Sequence, residues 1–514
     1  MTADLLKSTY LNLYNQQDMI HPLLLTDGYK VDHRRQYPEN TTLVYSNWTP
    51  RKSRIEGIEH VVFFGLQYFI KKYILEEFEQ NFFSQPKEAV IASYKRRIDS
   101  YLGENSVGTE HIAALHDLGY IPMVFKALPE GVSVPIRVPM FTMYNTLPEF
   151  FWLTNYFETL LSTTVWMPCN SATIANHYRK ILDKYAQETS SIPEFVDWQG
   201  HDFSMRGMAA LEAALISGAG HLLSFTGTDT IPSIDFLEKY YGADASKELV
   251  GGSVAATEHS VMSMGTNMGE LETFKRLVTE VYPKGIVSIV SDTWDLWKVL
   301  TEYLPALKEE ILSREGKVVI RPDSGDPVKI ICGDPEGKTE NERLGVIQLL
   351  WNTFGGLVNS KGYKELDSHI GAIYGDSITI QRAEQICERL KENGFASTNV
   401  VLGIGSYTYQ YNTRDTFGFA MKATYGEVDG KGREIYKDPI TDDGTKKSSR
   451  GLIKIVKEGG EYKLIDEVSW EEEKEGELKE VFRDGRLVVD LELSEIRANV
   501  RAQAQGSLLT SSSH

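Results

Sequence analysis

Four aspartates each close a short apolar run of the sequence: Asp229, Asp292, Asp323 and Asp376. An aspartate after a strand often caps the next helix, and that alternative stays open for each of them. Four carboxylates at corresponding strand ends would repel one another unless a cation or a polyhydroxyl ligand lay among them. A ribose diol with Mg²⁺ meets that need, because carboxylates accept from hydroxyl groups and Mg²⁺ prefers oxygen ligands. Arg321 precedes Asp323 by two residues and can hold a phosphate with two hydrogen bonds, so the spacing indicates a site for a phosphorylated sugar.

A pair of glycines offers a further phosphate contact. Gly403-Ile-Gly405-Ser406 follows an apolar run, and glycines there let backbone N–H groups approach a phosphate. A plain turn needs glycine just as often, so both interpretations stay open. Arg414 follows nine residues after Gly405. Lys422 and Lys446 are further candidate cations, although solubility also explains a surface lysine.

A histidine next to a carboxylate is a candidate for nucleophilic or proton-transfer chemistry. Glu258 and His259 lie in GGSVAATEHS, a segment of small residues that precedes a predicted helix. An imidazole has an unperturbed pKa of about 6.5, which suits either role. A structural role is the alternative, as for any single histidine.

Two further motifs combine aromatic and charged residues. The segment HDFSMRG places Phe203 three residues before Arg206, which is typical either of simple packing or of a ring platform beside an anion site. Near the start of the chain, Asp27-Gly-Tyr29-Lys30 has the composition of a turn.

The elements that must position these residues are strands and helices in alternation. Short apolar strands are predicted at residues 221–229, 285–292, 317–323, 370–376 and 399–405, with helices at 293–314, 341–354 and 378–393. Apolar strands alternating with helices indicate a parallel sheet, whose ligands lie at the carboxyl ends of the strands. The chain before residue 150 and after residue 414 is instead β-rich. The sequence therefore predicts an α/β protein, an irregular α/β barrel with a discontinuous β-rich domain built from residues 1–190 and 413–514 around a barrel domain of residues 191–412.

Composition excludes several classes of protein. The 514 residues include 54 basic and 72 acidic side chains, a net charge of −18, which argues against a general binder of nucleic acid or of membrane surfaces. The three cysteines, Cys169, Cys332 and Cys387, are too widely spaced for a zinc site or a disulfide framework. No signal peptide is visible, and the most apolar stretch, residues 150–167, is better explained as a core helix. We therefore expect a cytoplasmic protein.

With these residues set out, the chain resembles the nicotinamide phosphoribosyltransferases, type II phosphoribosyltransferases of NAD salvage. The similarity runs from Leu24-Leu-Thr-Asp-Gly-Tyr-Lys30 to the region of Glu495-Ile-Arg497. Its other markers, specific in this order, include Gly65-Leu-Gln67-Tyr68, His201-Asp-Phe203, Gly227-Thr-Asp229-Thr230, Glu258-His-Ser260, Arg321-Pro-Asp-Ser-Gly325, Gly375-Asp376, Thr413-Arg-Asp415 and Lys437-Asp-Pro439.

The resemblance implies a role for each candidate residue. Nicotinamide would be bound by Asp27, Tyr29, Phe203, Asp229 and Arg321, with the two aromatic rings stacked on the pyridine and Asp229 accepting from the carboxamide NH₂. Diphosphate would be bound by Arg206, His259 and Arg321. The ribose and its 5′-phosphate would be bound by Arg321, Asp323, Gly375, Asp376, Gly405, Ser406, Arg414, Lys422 and Lys446, and Mg²⁺ by Asp323 and Asp292.

The resemblance also implies a reaction and an assembly. Phosphoribosyl pyrophosphate and nicotinamide would give nicotinamide mononucleotide and pyrophosphate in a homodimer whose two sites are shared, with Asp27 and Tyr29 contributed by the partner subunit. ATP would phosphorylate His259, with Glu258 or Asp292 orienting the ring, and the phosphohistidine would stimulate the reaction.

Three other functions remain as alternatives. The first is transfer to nicotinate, which Asp229 disfavours because its carboxylate would repel that of nicotinate. The second is a non-catalytic nucleotide-binding or signalling protein of the same fold, which would not need the phosphorylatable His259. The third, an unrelated barrel enzyme acting on sugar phosphates, is countered by the resemblance alone.

Overall fold

The chain folds into two compact units in the computed structural model, which describes residues 20–436 and 449–511. One unit consists of residues 170–412, and the other is formed by the chain before and after it, up to Cys169 and from Thr413. The first division falls within the helix Glu158–Thr189. The domain limits 1–190, 191–412 and 413–514 stay a prediction.

Seven short parallel strands form the sheet of the unit 170–412. In chain order they are β1 (Gly200–Asp202), β2 (Gly227–Thr228), β3 (Ala255–Ala256), β4 (Val287–Val290), β5 (Val318–Arg321), β6 (Ile370–Tyr374) and β7 (Val400–Ile404). Every residue of β4 and of β6 is buried, as expected for strands covered on both faces.

The strands close into a ring. Each strand pairs with the next in the chain, except that β2 reaches β3 through a parallel bridge between Gly227 and Gly252, and β7 pairs with β1. This arrangement confirms the predicted irregular α/β barrel. Because all seven strands run in parallel, their carboxyl ends meet at one rim, which we call the barrel rim.

Helices connect the strands. The longer ones in this unit are Leu211–His221, Pro232–Tyr241, Glu340–Phe354 and Ile380–Glu392, and the shorter ones are Val196–Gln199, His259–Met264, Glu270–Arg276, Leu296–Lys298, Leu304–Ala306, Lys308–Leu312, Pro327–Cys332 and Ser406–Gln410. Two of the predicted helices are confirmed nearly as predicted, and Gly394 follows the second in a left-handed conformation with φ 77°. The predicted helix at 293–314 is helical from Leu296 to Leu312, with a π-helical stretch at Val299–Tyr303 and an interruption at Leu307. An antiparallel hairpin joins Gly356–Val358 to Lys364–Leu366.

Part of the strand prediction was wrong. The four predicted strands from residue 285 onward contain β4 to β7, but the predicted strand 221–229 is extended only at Gly227–Thr228, and His221 ends a helix. β1 and β3 were not predicted, because strands of two or three residues carry too little periodicity to be recognised.

The second unit contains a seven-stranded antiparallel sheet. Its order across the sheet is Lys431–Glu434, Ala420–Val428, Thr41–Thr49, Phe141–Asn145, Met123–Ala127, Lys479–Arg483 and Arg486–Leu487. Three strands from the N-terminal part of the chain lie between two pairs of strands from the C-terminal part, which confirms the predicted discontinuous β-rich domain. Trp48 stacks on Phe141 and on Phe419, at centroid distances of 6.0 and 5.4 Å, so the core also joins the two chain segments.

Two further antiparallel strand pairs and several helices complete this unit. One pair joins His60–Val62 to Ser133–Pro135, and the other is a hairpin of Leu452–Glu458 and Glu461–Val468. The hairpin turns at Gly459 and Gly460, both with positive φ. The helices are His33–Gln36, Leu66–Phe69, Lys87–Leu102, Glu110–Leu118, Leu153–Tyr156, Trp470–Lys474 and Leu493–Ser511, with π-helical turns at Ile70–Glu77 and Glu79–Phe83.

Glu473 is buried, although it lies in the acidic run 467–479. The side chain of Glu473 is only 1% exposed, and it accepts a hydrogen bond of 2.6 Å from Nζ of Lys126, which is 7% exposed. Tyr45 also donates to Glu473, at 3.4 Å. The buried cation of Lys126 therefore compensates the buried carboxylate.

Candidate active site

Asp229 lies at the barrel rim immediately after β2, and two side chains donate to the same oxygen of its carboxylate. His201 Nε2 is 2.8 Å from Oδ1, and Ser253 Oγ is 3.0 Å from it. Burial alone would raise the pKa of Asp229, but these hydrogen bonds and the charge of Arg321 lower the pKa below its ordinary value. The carboxylate is therefore ionised at neutral pH, and its side chain remains 47% exposed.

Phe203 lies beside this carboxylate on the loop that follows β1. Its ring centroid is 4.5 Å from that of His201, and both side chains line the same cavity. The buried Asp202 holds the loop, since it accepts from the backbone N–H of Ser204 at 2.9 Å and from Thr230 Oγ1 at 2.8 Å. A ring and an anionic acceptor are thus fixed side by side.

Arg321 ends β5 and points towards the adjacent strand ends. Its Nη2 donates to the carbonyl of Thr257 at 3.0 Å, and its Nε lies 3.8 Å from Asp323 Oδ1. Asp292 accepts through Oδ2 from the backbone N–H groups of Asp323 and Ser324, at 2.7 and 2.8 Å. Its Oδ1, Oδ1 of Asp323 and Nε of Arg321 are buried, and the described part of the chain supplies no hydrogen-bond partner for them. These atoms retain bonding capacity that a ligand can use.

His259 faces this carboxylate pair. Its Nε2 lies 3.8 Å from Asp292 Oδ1 and 3.6 Å from Asp323 Oδ2, and its Nδ1 is 3.2 Å from Thr293 Oγ1. Glu258 immediately precedes His259 as the N-cap of the helix His259–Met264, and its carboxylate accepts from Ser260 Oγ. Asp292 and Asp323 are therefore the carboxylates that face the imidazole, while the predicted orienting role of Glu258 stays a prediction.

The electrostatics of the cluster centre on Asp323. Burial is the main cause that raises the pKa of Asp323 above its ordinary value, and the charges of Asp292 and Asp376 add to the rise. The cations Arg321 and His259 oppose it. An added cation would relieve the repulsion among these carboxylates.

Glycines allow the neighbouring strand ends to approach. A methyl group on Gly375, after β6, would overlap Asp323 Oδ1, and one on Gly405, after β7, would lie 3.2 Å from Asp376 Oδ1. A methyl group on Gly207 would overlap the side chain of Ser406. The predicted ribose and phosphate residues of the barrel therefore lie against one another at the ends of β5, β6 and β7.

The remaining predicted residues lie on other elements of the structure. Arg206 is exposed on the turn Met205–Gly207, which follows β1. In the β-rich unit, Asp27 accepts from Thr159 Oγ1 at 2.7 Å, and Tyr29 is 64% exposed. Arg414 pairs with Asp415 at 3.3 Å, and Lys422 lies on the strand Ala420–Val428. Lys446 falls outside the described residues.

A cavity of about 910 Å³ opens at this site. It is lined at the rim by His201, Phe203, Asp229 and Arg321, and further in by Lys317, which precedes β5. This volume is within the range of about 300–1,000 Å³ that is typical of ligand pockets.

The helix-cap alternative for the four aspartates is wrong. The N-cap residues of the helices after β2, β4, β5 and β6 are Ile231, Asp295, Asp326 and Thr379. Asp229 therefore lines the cavity, and Asp292, Asp323 and Asp376 lie close enough to influence one another electrostatically.

Sequence analysis missed two contacts that define the site. Ser253 was not a candidate, and His201 was noted only as the start of its motif. Their bonds to Asp229 depend on how neighbouring strands align, His201 opposite Gly227. A short strand without clear periodicity gives no signal for that alignment.

Comparisons with known proteins agree with this geometry. Residues 198–486 match the nicotinate phosphoribosyltransferase (NAPRTase) family, and residues 21–112 match the N-terminal domain of nicotinamide phosphoribosyltransferase. The nicotinamide phosphoribosyltransferase of Acinetobacter baylyi is 54% identical over 498 residues, which cover 95% of this chain and 98% of that protein. The chain belongs to the nicotinamide phosphoribosyltransferases, an enzyme family. The family member of Mycoplasma pneumoniae is 39% identical over 84% of this chain and 94% of its own.

Solved structures share the fold at low sequence identity. The nicotinate-nucleotide pyrophosphorylase of Pyrococcus furiosus has a TM-score of 0.58 at 14% identity, covering 95% of this chain and 97% of its own. The human nicotinic acid phosphoribosyltransferase has a TM-score of 0.50 at 15% identity, covering 94% of each chain. Within residues 20–436 and 449–511, the structure contains no helix of the length and apolarity needed to cross a membrane.

Proposed function

We propose that this protein transfers the phosphoribosyl group of phosphoribosyl pyrophosphate to nicotinamide and so produces nicotinamide mononucleotide and pyrophosphate for NAD salvage. The observation that carries the proposal is the ionised Asp229 beside Phe203 at the rim of the cavity. The names of the most similar relatives support the same reaction. The three cysteines are free and buried, which supports the reducing cytoplasm as the site of action.

The choice of base follows from charge. The carboxamide of nicotinamide carries an NH₂ donor, whereas nicotinate carries a carboxylate that accepts only. Asp229 accepts, so it binds the first group and repels the second. Phe203 offers its ring face to the pyridine, which stacks on an aromatic ring at a separation of about 4.5–7 Å between centroids.

The reaction is a displacement at C1 of the ribose. The pyridine nitrogen forms the new bond to C1 while the bond from C1 to the pyrophosphate oxygen breaks, and pyrophosphate leaves with the electron pair. Arg321 and Arg206 would hold the leaving phosphates, and Asp323 and Asp376 would accept from the ribose hydroxyls. The residues therefore act by position and charge and form no covalent bond to the sugar.

The carboxylate cluster fits Mg²⁺. Oδ1 of Asp292 and Oδ1 of Asp323 are buried and have no hydrogen-bond partner among residues 20–436 and 449–511, as expected for oxygens that bind a cation. Among the residues that the structure covers, no three acidic, histidine or cysteine side chains are arranged to hold a metal by themselves. Mg²⁺ commonly takes one or two carboxylates and completes its shell with substrate phosphates and water. When bound, the ion would neutralise charge on the leaving pyrophosphate.

ATP would act through His259. The imidazole side chain is 49% exposed and lies beside two carboxylates, so a phosphoryl group on it would add about −1.5 to −2 charge next to the diphosphate site. We expect wild-type protein to take up acid-labile, base-stable label from γ-labelled ATP and to form more nucleotide in its presence. His259→Ala should lose both effects. A variant that keeps both would refute this role.

A homodimer would complete the site. Large apolar side chains are exposed on segments that follow the carboxyl ends of the barrel strands: Met205, Ile231, Val261, Met264, Met268, Tyr407 and Tyr411. Such an apolar surface is typical of an interface between copies. Mixed Tyr29→Ala and His259→Ala subunits should recover activity, since a heterodimer contains one intact site. No recovery after verified subunit exchange would count against shared sites.

One assay tests the main proposal. Purified protein with phosphoribosyl pyrophosphate and Mg²⁺ receives either nicotinamide or nicotinate, and the mononucleotide products are separated and quantified. We expect kcat/KM to favour nicotinamide by a factor of roughly 100 or more, the size of effect that a correctly placed charge gives. Equal turnover or a preference for nicotinate would replace the proposal with the nicotinate reaction. Binding of both compounds without turnover would favour a non-catalytic nucleotide-binding protein.

A further inference from the structure

The base-binding carboxylate is held by a histidine to which neither its family nor its sequence assigned a role. His201 belongs to β1 and is only 7% exposed, so its ring has a fixed place between two strands. Its Nε2 lies 2.8 Å from Asp229 Oδ1. A carboxylate only accepts, so this nitrogen carries the proton and donates it.

The two oxygens of Asp229 are therefore not equivalent. His201 and Ser253 both donate to Oδ1, and the residues that the structure describes offer Oδ2 no hydrogen bond. The backbone N–H of Asp229 donates to the carbonyl of Asp202 at 2.9 Å, which fixes the main chain as well. The carboxylate thus has one saturated oxygen and one that is available to a ligand.

The position of the His201 imidazole depends on Gly227, in the neighbouring strand β2. A methyl group on Gly227 would lie 2.7 Å from Nδ1 of His201, closer than side chains pack. The other side of the ring lies against Phe203, with centroids 4.5 Å apart at an angle of 38°. The same histidine therefore contacts both groups that would bind the base.

We propose that His201 is a positioning residue that determines base selectivity: it holds Asp229 through Oδ1 so that Oδ2 faces the carboxamide, and it supports the ring of Phe203. The inference rests on the proposed function, because it concerns how nicotinamide is distinguished from nicotinate. Without the Nε2 donor, the carboxylate turns about its side-chain bonds and no longer presents one oxygen to the NH₂ group.

Three variants separate the effect of the Nε2 hydrogen-bond donor from the effect of the aromatic ring of His201. His201→Phe keeps an aromatic ring and loses the donor, whereas His201→Gln keeps a side-chain N–H near the place of Nε2. Gly227→Ala leaves the histidine unchanged but displaces its ring. Each variant is assayed for kcat and KM with both bases and for KM with phosphoribosyl pyrophosphate, whose ribose Asp323 and Asp376 would bind. Thermal unfolding confirms that each variant is folded.

We expect the ratio of kcat/KM for nicotinamide to that for nicotinate to fall roughly 10- to 100-fold in His201→Phe, the effect of losing a hydrogen bond to a charged group. Gly227→Ala should also lower this ratio, whereas His201→Gln should retain most of the wild-type ratio. In all three variants, KM for phosphoribosyl pyrophosphate should stay within about twofold of wild type. An unchanged ratio in folded His201→Phe and Gly227→Ala would overturn the inference, as would an equal loss with both bases, which indicates only a packing role. If wild-type protein uses neither base, the proposed function itself fails, and the inference fails with it.

Discussion

Replacement of Asp229 by asparagine tests the assignment of the base pocket most directly, because the structure fixes how the new amide must lie. His201 Nε2 and Ser253 Oγ both donate to Oδ1. An asparagine must therefore turn its carbonyl oxygen towards them and its NH₂ group towards the base. The NH₂ group of the asparagine then faces the NH₂ group of nicotinamide, where the wild-type carboxylate would accept a hydrogen bond. Nicotinamide binding therefore weakens.

The magnitude follows from the two interactions that change. Loss of a hydrogen bond to an ionised acceptor costs about 1.5–3 kcal/mol, which lowers kcat/KM for nicotinamide roughly 10- to 150-fold. For nicotinate the change is favourable, since repulsion between two carboxylates about 4 Å apart is worth about 4 kcal/mol at an effective dielectric constant of about 20. The side chain is 47% exposed, so the free energy of unfolding should change by less than about 1 kcal/mol.

The assay is the ratio of kcat/KM for the two bases, measured at saturating phosphoribosyl pyrophosphate. Asp229→Asn should lower the ratio at least about tenfold. Ser253→Ala is the matched control, because it removes one donor and keeps the charge, and its ratio should fall by less. If folded Asp229→Asn retains the wild-type ratio, the carboxylate does not select the base and the reasoning is refuted.

Three further changes probe the rest of the molecule. Gly375→Ala should raise KM for phosphoribosyl pyrophosphate roughly tenfold or more in steady-state kinetics, because its methyl group would displace Asp323. Lys126→Met should lower the free energy of unfolding in urea by about 3–5 kcal/mol, since it leaves Glu473 buried without its cation. Burial, with a smaller effect of nearby Asp295, raises the pKa of Glu270 from 4.5 to about 6. The folded state therefore holds the Glu270 proton more tightly than the unfolded state does, so the free energy of unfolding is highest below pH 4.5 and falls as the pH rises through 6. Glu270→Gln should raise the free energy of unfolding, measured in urea, by up to about 2 kcal/mol at pH 8 and by little at pH 4.5.

Each of these changes has a control in the chain. A methyl group on Gly371, also in β6, would lie 3.2 Å from the flexible side chain of Lys317, so Gly371→Ala should leave KM for phosphoribosyl pyrophosphate nearly unchanged. Replacement of both Lys126 and Glu473 by apolar residues should recover much of the lost stability. Glu272→Gln, on the same helix as Glu270 but exposed, should show no such pH dependence. Equal effects of variant and control would contradict the corresponding prediction.

The fold could be predicted from sequence wherever elements were long enough to show a period. The four strands from β4 to β7 and the helices Glu340–Phe354 and Ile380–Glu392 repeat their apolar residues clearly. The strands β1 and β3 contain three and two residues; β1 pairs with β7 and with β2, and β3 pairs with β4. Such strands depend on tertiary structure and have no pattern of their own.

The site could be predicted as a set of residue types but not as a set of bonds. The spacing of Asp292, Asp323 and Arg321 indicated a carboxylate cluster with a cation, and the structure brings these residues together. Which oxygen of each carboxylate is occupied depends on donors from other strands, such as Ser253. That information lies in the register of the barrel.

The donors around each carboxylate suggest how it acts. Asp202 has hydrogen bonds to both oxygens, from the Ser204 N–H and from Thr230, and it is fully buried, so it holds the loop and has no oxygen left for a ligand. Asp229 has both donors on Oδ1 and one oxygen available, which suits a single neutral donor such as a carboxamide.

Asp292 accepts hydrogen bonds through one oxygen, and its other oxygen is buried with no hydrogen-bond partner in the described part of the chain. Asp323 likewise has one buried oxygen with no such partner there. A buried carboxylate oxygen that lacks a donor costs free energy until a cation or hydroxyl group reaches it. Aspartates at the barrel rim therefore occur in three bonding states. Asp202 holds the loop, Asp229 would bind the base, and Asp292 and Asp323 would bind the ribose with its diphosphate and cation.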